Sequence, residues 1–280
     1  MIKIGQYNKL TVERFVDFGA YLTDGESESI LLPSKYIDQS TAVGDEVEVF
    51  VYKDSEDRPV AVTEHPFACV GDVAFLQVAA VNKYGAFLDW GLPKDLLVPF
   101  SEQKSRMREG GFYPVYVYLD DETKRVVASA KLEKFIGNTI PDYRPGQKVE
   151  ALVIQHTEIG YKVVVDNLHW GMIYDNEVFA PLEIEQSVKA YVKSVRDDGK
   201  IDLTLNDKAK VRTKSTAELI IEHLKANGGE IAVGDKSSPE EIKALFHCSK
   251  KDFKKALGAL YKDKKIIPGD NLVKLNTDKQ

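Results

Sequence analysis

The stretch Lys83-Tyr84-Gly85-Ala86-Phe87-Leu88 sets an aromatic residue, a glycine and a second aromatic residue inside an apolar segment. The same order occurs earlier as Phe18-Gly19-Ala20-Tyr21-Leu22, and a weaker copy occurs later as Ile159-Gly160-Tyr161-Lys162-Val163. The first two copies lie 66 positions apart and the last two lie 75 positions apart. A repeat of this length is too long for a solenoid unit, so the sequence predicts three small tandem domains.

Each copy contains five short apolar segments separated by turn-forming residues. In the first copy, Glu46–Tyr52 alternates polar and apolar residues, which predicts a half-buried strand, and the acidic segment Asp54–Pro59 that follows predicts a turn. Five such strands in a domain of this size are typical of a small closed barrel of the OB type. We therefore predict barrels over residues 1–65, 66–131 and 144–208, with residues 132–143 as a linker.

Beyond residue 208 the spacing of apolar residues changes from strand-like to helical. Ser238 followed by Pro239 predicts the start of one helix, which is expected to bury Ile242, Leu245 and Phe246. Ser249-x-x-Asp252 is a capping box that predicts the start of another helix. Three helices followed by a β-hairpin predict a winged helix over residues 212–280. The predicted fold is therefore mainly β: three tandem OB barrels followed by a winged helix.

Charge is unevenly distributed along the chain, whose formal net charge is −6. Residues 211–280 contain 14 Lys and Arg against 10 Asp and Glu, whereas the preceding residues contain 24 against 34. The acidic repeats argue against strong non-specific binding to phosphate backbones. They remain compatible with binding by base stacking, which needs only a local basic rim.

Several classes of function find little support in the sequence. Met1–Gly5 has no apolar targeting segment and no apolar run reaches membrane-spanning length, so we expect a cytoplasmic protein without a membrane partner. Cys69 and Cys248 are far apart and are expected to be reduced thiols. The histidines show no metal-ligand spacing, and no phosphate loop or nucleophile elbow is present. We therefore expect no metal, no cofactor and no catalytic residue.

The barrel repeats resemble the RNA-binding domain named after ribosomal protein S1. The resemblance rests on the two aromatic-glycine motifs, on the opening Gly-Gln or Gly-Asp pair and on the five-strand spacing. It implies that Phe18 with Tyr21, and Tyr84 with Phe87, are solvent-facing platforms for stacked bases. Because residues at i and i+3 of a straight strand point to opposite faces, the intervening Gly-Ala is expected to form a bulge or a strong twist. The alternative is that these rings fill the barrels.

The chain also departs from the S1 pattern. The family places a histidine after its third strand, where this sequence has Pro33, Pro99 and Tyr174. In the third copy, Ile159 and Lys162 occupy the aromatic positions, and the predicted replacement platform consists of Tyr161, Trp170 and Tyr174.

Two groups of basic residues are candidate phosphate contacts. The first group accompanies the second copy and consists of Lys83, Lys104, Arg106, Arg108, Lys124 and Arg125. The second group lies on the third helix of the predicted winged helix and consists of Lys250, Lys251, Lys254 and Lys255. Few residues there can read base edges, so we expect non-specific nucleic-acid contact from this helix. The alternative for both groups is a solvated basic surface.

Three S1-like barrels followed by a winged helix resemble the bacterial conserved virulence factor B family, also called YitL-like proteins. The resemblance spans nearly the whole chain and is most specific over Lys83–Glu102. It implies a cytoplasmic protein that binds single-stranded RNA and influences gene expression after transcription, without enzymatic activity. The competing interpretation is a non-catalytic scaffold that docks a ribosome- or nuclease-associated partner.

Overall fold

The computed structural model describes residues 1–178, 180–206, 216–246 and 248–276. The chain divides into two compact units, Met1–Leu205 and Asn206–Gln280. The ends of two predicted domains, at residues 207–208 and 212–215, lie outside the described residues, as do residues 277–280. The two units are described separately below.

The first unit contains three five-stranded sheets in the predicted order. Barrel 1 is closed in the order β1-β2-β3-β5-β4 and consists of β1 (Gln6–Val16), β2 (Gly19–Thr23), β3 (Ile30–Pro33), β4 (Glu46–Lys53) and β5 (Pro59–Val62). Barrel 2 has the order β10-β9-β6-β7-β8, with β8 lying beside β10 so that it is nearly closed, and consists of β6 (Val73–Val81), β7 (Gly85–Asp89), β8 (Leu96–Pro99), β9 (Phe112–Leu119) and β10 (Val126–Ser129). Barrel 3 is closed in the order β11-β12-β13-β15-β14 and consists of β11 (Lys148–Thr157), β12 (Gly160–Val165), β13 (His169–Tyr174), β14 (Ser187–Val195) and β15 (Ile201–Thr204). The mainly β fold is confirmed.

Strand β4 of barrel 1 is buried on both faces over its second half. Val49 and Val51 point into barrel 1, whereas Phe50 and Tyr52 pack into the core of barrel 2. The prediction that Glu46–Tyr52 is half-buried throughout is therefore wrong. The outward face of the strand is buried because barrel 2 covers it.

Trp90 connects barrel 2 to the outward face of strand β4 of barrel 1. Its ring meets Phe50 edge-on at 5.7 Å between centroids and Tyr52 at 6.3 Å. Its indole Nε1 donates a hydrogen bond to the carbonyl of Lys94 at 2.6 Å, which satisfies the one polar group of a buried ring. The outward face of barrel 1 is therefore packed into the core of barrel 2, while the interior of barrel 1 forms a separate cluster.

The segment after barrel 2 packs between barrels 2 and 3. It begins with a 3-10 helix over Leu132–Lys134, and Leu132 and Ile136 are buried together with Val73 and Val164. The side chain of Phe135 stacks on Tyr116 of β9 at 4.4 Å between centroids. These apolar contacts hold the start of the predicted linker against both barrels.

The second unit has the helices and hairpin of the predicted winged helix. It consists of α1 (Thr216–Ala226), β16 (Glu230–Ile231), α2 (Pro239–Phe246), α3 (Lys250–Lys262), β17 (Ile266–Pro268) and β18 (Val273–Leu275). The Ser238 hydroxyl accepts from the backbone N–H of Glu241 at 3.2 Å, and the Ser249 hydroxyl accepts from that of Asp252 at 3.2 Å, so both predicted caps are present. The sheet has the order β16-β18-β17, and its short first strand was not predicted.

One core prediction in this unit is wrong. Helix α2 buries Ile242 and Phe246, but Leu245 is 43% exposed. Residues four apart on a helix share a face, so Ile242 and Phe246 face the core together and Leu245 lies at the side of that face.

Candidate nucleic-acid interface

The aromatic motif requires glycine because two backbones approach each other closely at this position. A Cβ atom on Gly85 would lie 2.2 Å from the carbonyl oxygen of Val98 on the neighbouring strand. The equivalent distances are 2.2 Å for Gly19 to the Leu32 oxygen and 2.3 Å for Gly160 to the Ile173 oxygen. All three copies therefore need glycine at this position for the same steric reason.

The bulge lies on the opposite strand from the one predicted. The register of β6 against β7 shifts between Val78 and Ala80, and β1 and β11 shift at the equivalent places. Of the two expectations for Gly-Ala, a bulge or a strong twist, the bulge is therefore not found there, because the preceding strand accommodates the extra residue. Tyr84 and Phe87 nevertheless line one common groove.

The groove that contains both rings lies between barrels 1 and 2 and has a volume of about 370 Å³. Tyr84 is 62% exposed at its mouth, whereas Phe87 is half-buried. Barrel 1 contributes Tyr52 and Lys53 from the end of β4. Barrel 2 contributes the two motif aromatics with Asn82, Trp90, Lys94, Asp95, Leu96, Leu97, Arg125, Val126 and Val127. A concave, mostly apolar site with a few convergent polar groups is the usual form of a binding site.

Three cations of the groove also connect the barrels. The Lys53 ammonium donates to the carbonyl of Thr123 at 3.1 Å, and the Lys94 ammonium donates to the carbonyls of Lys53 and Asp54 at 3.0 and 2.6 Å. The Arg125 guanidinium binds both carboxylate oxygens of Asp57 at 2.5 and 2.6 Å. Burial lowers the pKa of Lys94, and the positive charge of Arg125 lowers it further. Three cationic side chains therefore lie where the barrels meet, one of them paired with Asp57.

The other predicted basic residues do not line the groove. Lys83 places its ammonium 5.0 Å from the centroid of the Tyr84 ring. The Arg106 guanidinium lies 4.3 Å from the centroid of Phe100, which follows the Pro99 that pairs with Gly85. Arg108 is exposed on the same loop. Lys104 and Lys124 are occupied by ion pairs with Glu133 at 2.8 Å and Asp121 at 3.6 Å.

Barrel 1 presents its aromatic pair differently. Phe18 is 57% exposed, but the ring of half-buried Tyr21 is covered by the Arg14 guanidinium at 4.3 Å from its centroid. Arg14 also pairs with Glu13 at 2.7 Å. A base would have to displace this cation to stack on the covered face of Tyr21.

In barrel 3, Tyr161 does not form a surface platform, and this prediction is corrected. The side chain is only 6% exposed because Tyr161 occupies the inward-facing position that Ala86 has in barrel 2. Its ring stacks on His156 at 4.3 Å between centroids. The other two proposed platform rings are half-buried and already in contact with cations: Lys162 lies 3.7 Å from the Trp170 centroid, and Arg196 donates to the Tyr174 hydroxyl at 2.5 Å.

The four predicted lysines of α3 divide into two pairs within the second unit. The Lys250 ammonium donates to the carbonyl of Ser237 at 2.8 Å, and Lys254 pairs with Asp235 at 3.1 Å. Lys251 and Lys255 are exposed, lie four residues apart on one face of the helix and form no ion pair within the described residues. Of the four predicted lysines, these are the two that remain available to a phosphate.

Sequence reasoning missed the contribution of barrel 1 to the groove. Tyr52, Lys53 and Asp95 were assigned no role, although Lys94 and Asp95 lie inside the most family-specific stretch. The unbroken apolar run Val49–Tyr52 was the available signal, because four consecutive apolar residues indicate a strand covered on both faces.

Over the described ranges, no group of three or more His, Cys, Asp or Glu side chains is arranged to hold a metal ion. In the same part of the chain, no helix combines the length and the apolar character needed to cross a membrane.

Comparisons with known proteins agree with this architecture. A family model described as S1 domain matches residues 4–64 and 70–131, and one described as CvfB-like winged helix domain matches residues 218–275. YitL of Bacillus subtilis (strain 168) is 28% identical over 273 residues, which cover 94% of this chain and 90% of YitL. Conserved virulence factor B of Staphylococcus aureus (strain USA300) is 27% identical over 250 residues, which cover 87% of this chain and 83% of that protein.

A solved structure is also similar. It is a crystal structure of a multidomain protein with nucleic acid binding domains from Streptococcus pneumoniae TIGR4, 24% identical, covering 97% of this chain and 98% of that chain with a TM-score of 0.41. The matched domains and the relatives named above together show that this chain belongs to the conserved virulence factor B family.

Proposed function

We propose that this protein binds single-stranded RNA by stacking bases on Tyr84 and Phe87, in the groove between barrels 1 and 2. One observation carries the proposal: two aromatic rings, one exposed and one half-buried, line a single groove that also contains three cations. Stacking on an aromatic side chain contributes about 1–3 kcal/mol per base and tolerates any base. Nucleic-acid binding is also the property associated with the S1 domain that matches both barrels.

Unpaired RNA is the expected form of the ligand. The half-buried ring of Phe87 can be reached only by a base that leaves its helical stack, and unpaired bases of RNA loops and single strands are free to do so. The acidic balance of the barrel repeats disfavours a duplex, whose binding depends more strongly on phosphate neutralisation. Phe18 and Tyr21 form a weaker second platform in this proposal, because Arg14 covers Tyr21.

The cellular role follows from the family. The proposed role is post-transcriptional regulation of gene expression in the cytoplasm, supported by the relatives named conserved virulence factor B. Lys251 and Lys255 would add non-specific phosphate contacts from the winged helix.

A protein-interaction scaffold is the second candidate. The second unit exposes several large apolar side chains, among them Leu245 and Tyr261, and a contiguous patch of such groups would mark a docking surface. Such a scaffold would bind its partner whether or not the aromatic pair in barrel 2 is intact.

The test is a comparison of two double variants of the full chain. Tyr84→Ala with Phe87→Ala should weaken binding of a short single-stranded RNA by about 2–4 kcal/mol, measured by fluorescence anisotropy at moderate salt. Phe18→Ala with Tyr21→Ala, the matched pair in barrel 1, should cause a smaller loss. Thermal melting of both variants separates lost stacking from lost folding, since the removal of buried aromatic side chains would instead lower stability.

Two results would contradict the proposal. The first is a folded Tyr84→Ala, Phe87→Ala variant that binds RNA as tightly as the parent protein. The second is equal or stronger affinity of the parent protein for duplex DNA, which would indicate that the winged helix dominates binding.

A further inference from the structure

Asp95 is a half-buried carboxylate inside the groove with no partner. It makes neither a hydrogen bond nor an ion pair within the described part of the chain. The negative charge of Asp89 is close enough to be unfavourable, since Asp89 ends β7 beside the point where Leu88 aligns with Leu96 of β8. Burial raises the pKa of Asp95, and the negative charge of Asp89 raises it further.

This arrangement resists ionisation in the free protein but suits a ligand that donates hydrogen bonds. A desolvated acceptor that lacks a donor costs free energy, and a hydrogen bond to a charged acceptor is stronger than one between neutral groups. The adjacent Lys94 does not form an ion pair with Asp95, because its ammonium donates to the carbonyls of Lys53 and Asp54. A donor supplied by the ligand would therefore satisfy the carboxylate.

The remaining walls of the groove restrict the chemistry of that ligand. Phe87 and Tyr84 offer ring faces, and Leu97 pairs with Phe87 beside them to form an apolar floor. Lys53 and Arg125 place positive charge at the barrel junction. A flat ring that carries an amino group and is attached to a phosphate meets all three conditions, and the volume of about 370 Å³ is within the range of small-ligand sites.

We propose that the groove selects its nucleobase: one unpaired base stacks on Phe87 and donates its exocyclic amino group to the carboxylate of Asp95. This inference rests on the proposed function and deepens it. It predicts that cytosine is preferred to uracil, because cytosine presents an N4 amino donor where uracil presents a carbonyl oxygen. Barrel 1 completes the site, since Tyr52 and Lys53 close one side of the groove.

The experiment measures the ratio of dissociation constants for two RNA oligonucleotides of equal length, oligo(U) and oligo(C), on the full chain. The parent protein should bind oligo(C) about tenfold more tightly, as expected for one charge-assisted base contact. Asp95→Asn keeps the shape of the side chain and adds an amide donor, so the ratio should fall to about one or reverse. The ratio cancels any uniform gain in RNA affinity from the lost negative charge.

Asp121→Asn is the matched control, because it removes the same charge from an exposed turn of barrel 2 outside the groove and should leave the ratio unchanged. A parent protein without preference for oligo(C), an unchanged ratio in Asp95→Asn, or an equal change in Asp121→Asn would each overturn the inference. Failure of the proposed function gives a different result, namely that neither oligonucleotide binds or that binding does not depend on Tyr84 and Phe87. The ratio of the parent protein alone tests the inference if the variant does not fold.

Discussion

Individual side chains in and around the groove differ in how much of their charge remains available to RNA. The Arg125 guanidinium is held by Asp57, and the Lys94 ammonium is held by two carbonyls. The Lys83 ammonium lies 5.0 Å from the centroid of the Tyr84 ring and forms no ion pair within the described residues. Lys83 can therefore contact a phosphate without first breaking an existing contact.

Lys83→Ala should reduce the salt dependence of RNA binding. Loss of one phosphate contact lowers the slope of log K against log salt by about 0.7 for a single strand, because one fewer counterion is released. The slope is measured by anisotropy titrations at several salt concentrations. Lys3→Ala serves as the control, since it removes an exposed lysine of the first unit outside the groove and should leave the slope unchanged. Equal slopes for the parent protein, Lys83→Ala and Lys3→Ala would show that Lys83 does not contact an RNA phosphate.

We expect His169 to make the stability of barrel 3 depend on pH. The side chain is 3% exposed, and its Nδ1 atom has no hydrogen-bond partner within the described chain. Burial lowers the pKa of His169 below its ordinary value, although Asp166 opposes this effect. The folded chain therefore keeps His169 neutral at a pH where the unfolded chain already binds a proton.

The sign of the effect follows from proton linkage. Stability is fully present above the unfolded histidine pKa of about 6.5 and is lost as the pH falls through it towards the lower folded value. The melting temperature should therefore decrease between pH 7.5 and pH 5.5, and His169→Gln should reduce that decrease. A variant with the same pH dependence as the parent protein would show that other groups are responsible.

At the scale of single elements, the close approach of β7 to β8 determines the shape of the groove wall. Gly85→Ala places a Cβ atom against the Val98 carbonyl, which is backbone and cannot move aside. We expect a loss of about 1–3 kcal/mol in the free energy of unfolding, typical of local backbone strain, or more if the strands separate. Gly110→Ala is the control, because Gly110 also has a positive φ, of 78°, but open space around its Cβ position. Urea denaturation in which both variants lose equal stability would contradict the steric argument.

The elements show which features of the site could be predicted from the sequence. The aromatic-glycine motif was predictable because its repetition reports a local requirement that is the same in every copy. The bulge was misplaced because its position depends on the register of the neighbouring strand. Tyr161 was misassigned because residue type was considered before strand register: the offset of 75 aligns it with Ala86, which points inwards.

At the scale of the molecule, Trp90 packs barrel 2 against the outward face of barrel 1. Trp90→Ala removes a ring packed against Phe50 and Tyr52 and should lower the free energy of unfolding by about 3–5 kcal/mol. Phe112→Ala is the control, because that ring of barrel 2 is 53% exposed and its loss should be nearly neutral. Urea unfolding followed by circular dichroism compares the two variants. A Trp90→Ala protein as stable as the Phe112→Ala protein would mean that the packing around Trp90 contributes little to stability.

The number and order of the domains could be predicted from the repeat offsets, but the packing of neighbouring barrels could not. Barrel contacts depend on outward-facing residues, which the repeat pattern leaves free to vary. The two junctions have one feature in common. Trp90 packs against Phe50 and Tyr52 of β4, and Phe135 packs against the equivalent Tyr116 and Tyr118 of β9. An aromatic pair at these outward positions therefore indicates a packed neighbour, and the composite groove is a consequence of that packing.

The central claim is that unpaired RNA bases stack in the groove between barrels 1 and 2. Photocrosslinking of a short single-stranded RNA to the full chain, with mass-spectrometric mapping of the modified peptides, tests it most directly. The claim predicts that the main crosslinked peptide contains Tyr84 and Phe87, and that crosslinking there falls when both are replaced by alanine. Crosslinks confined to barrel 3 or to the winged helix, with none in the peptide that contains Lys83–Asp89, would contradict it.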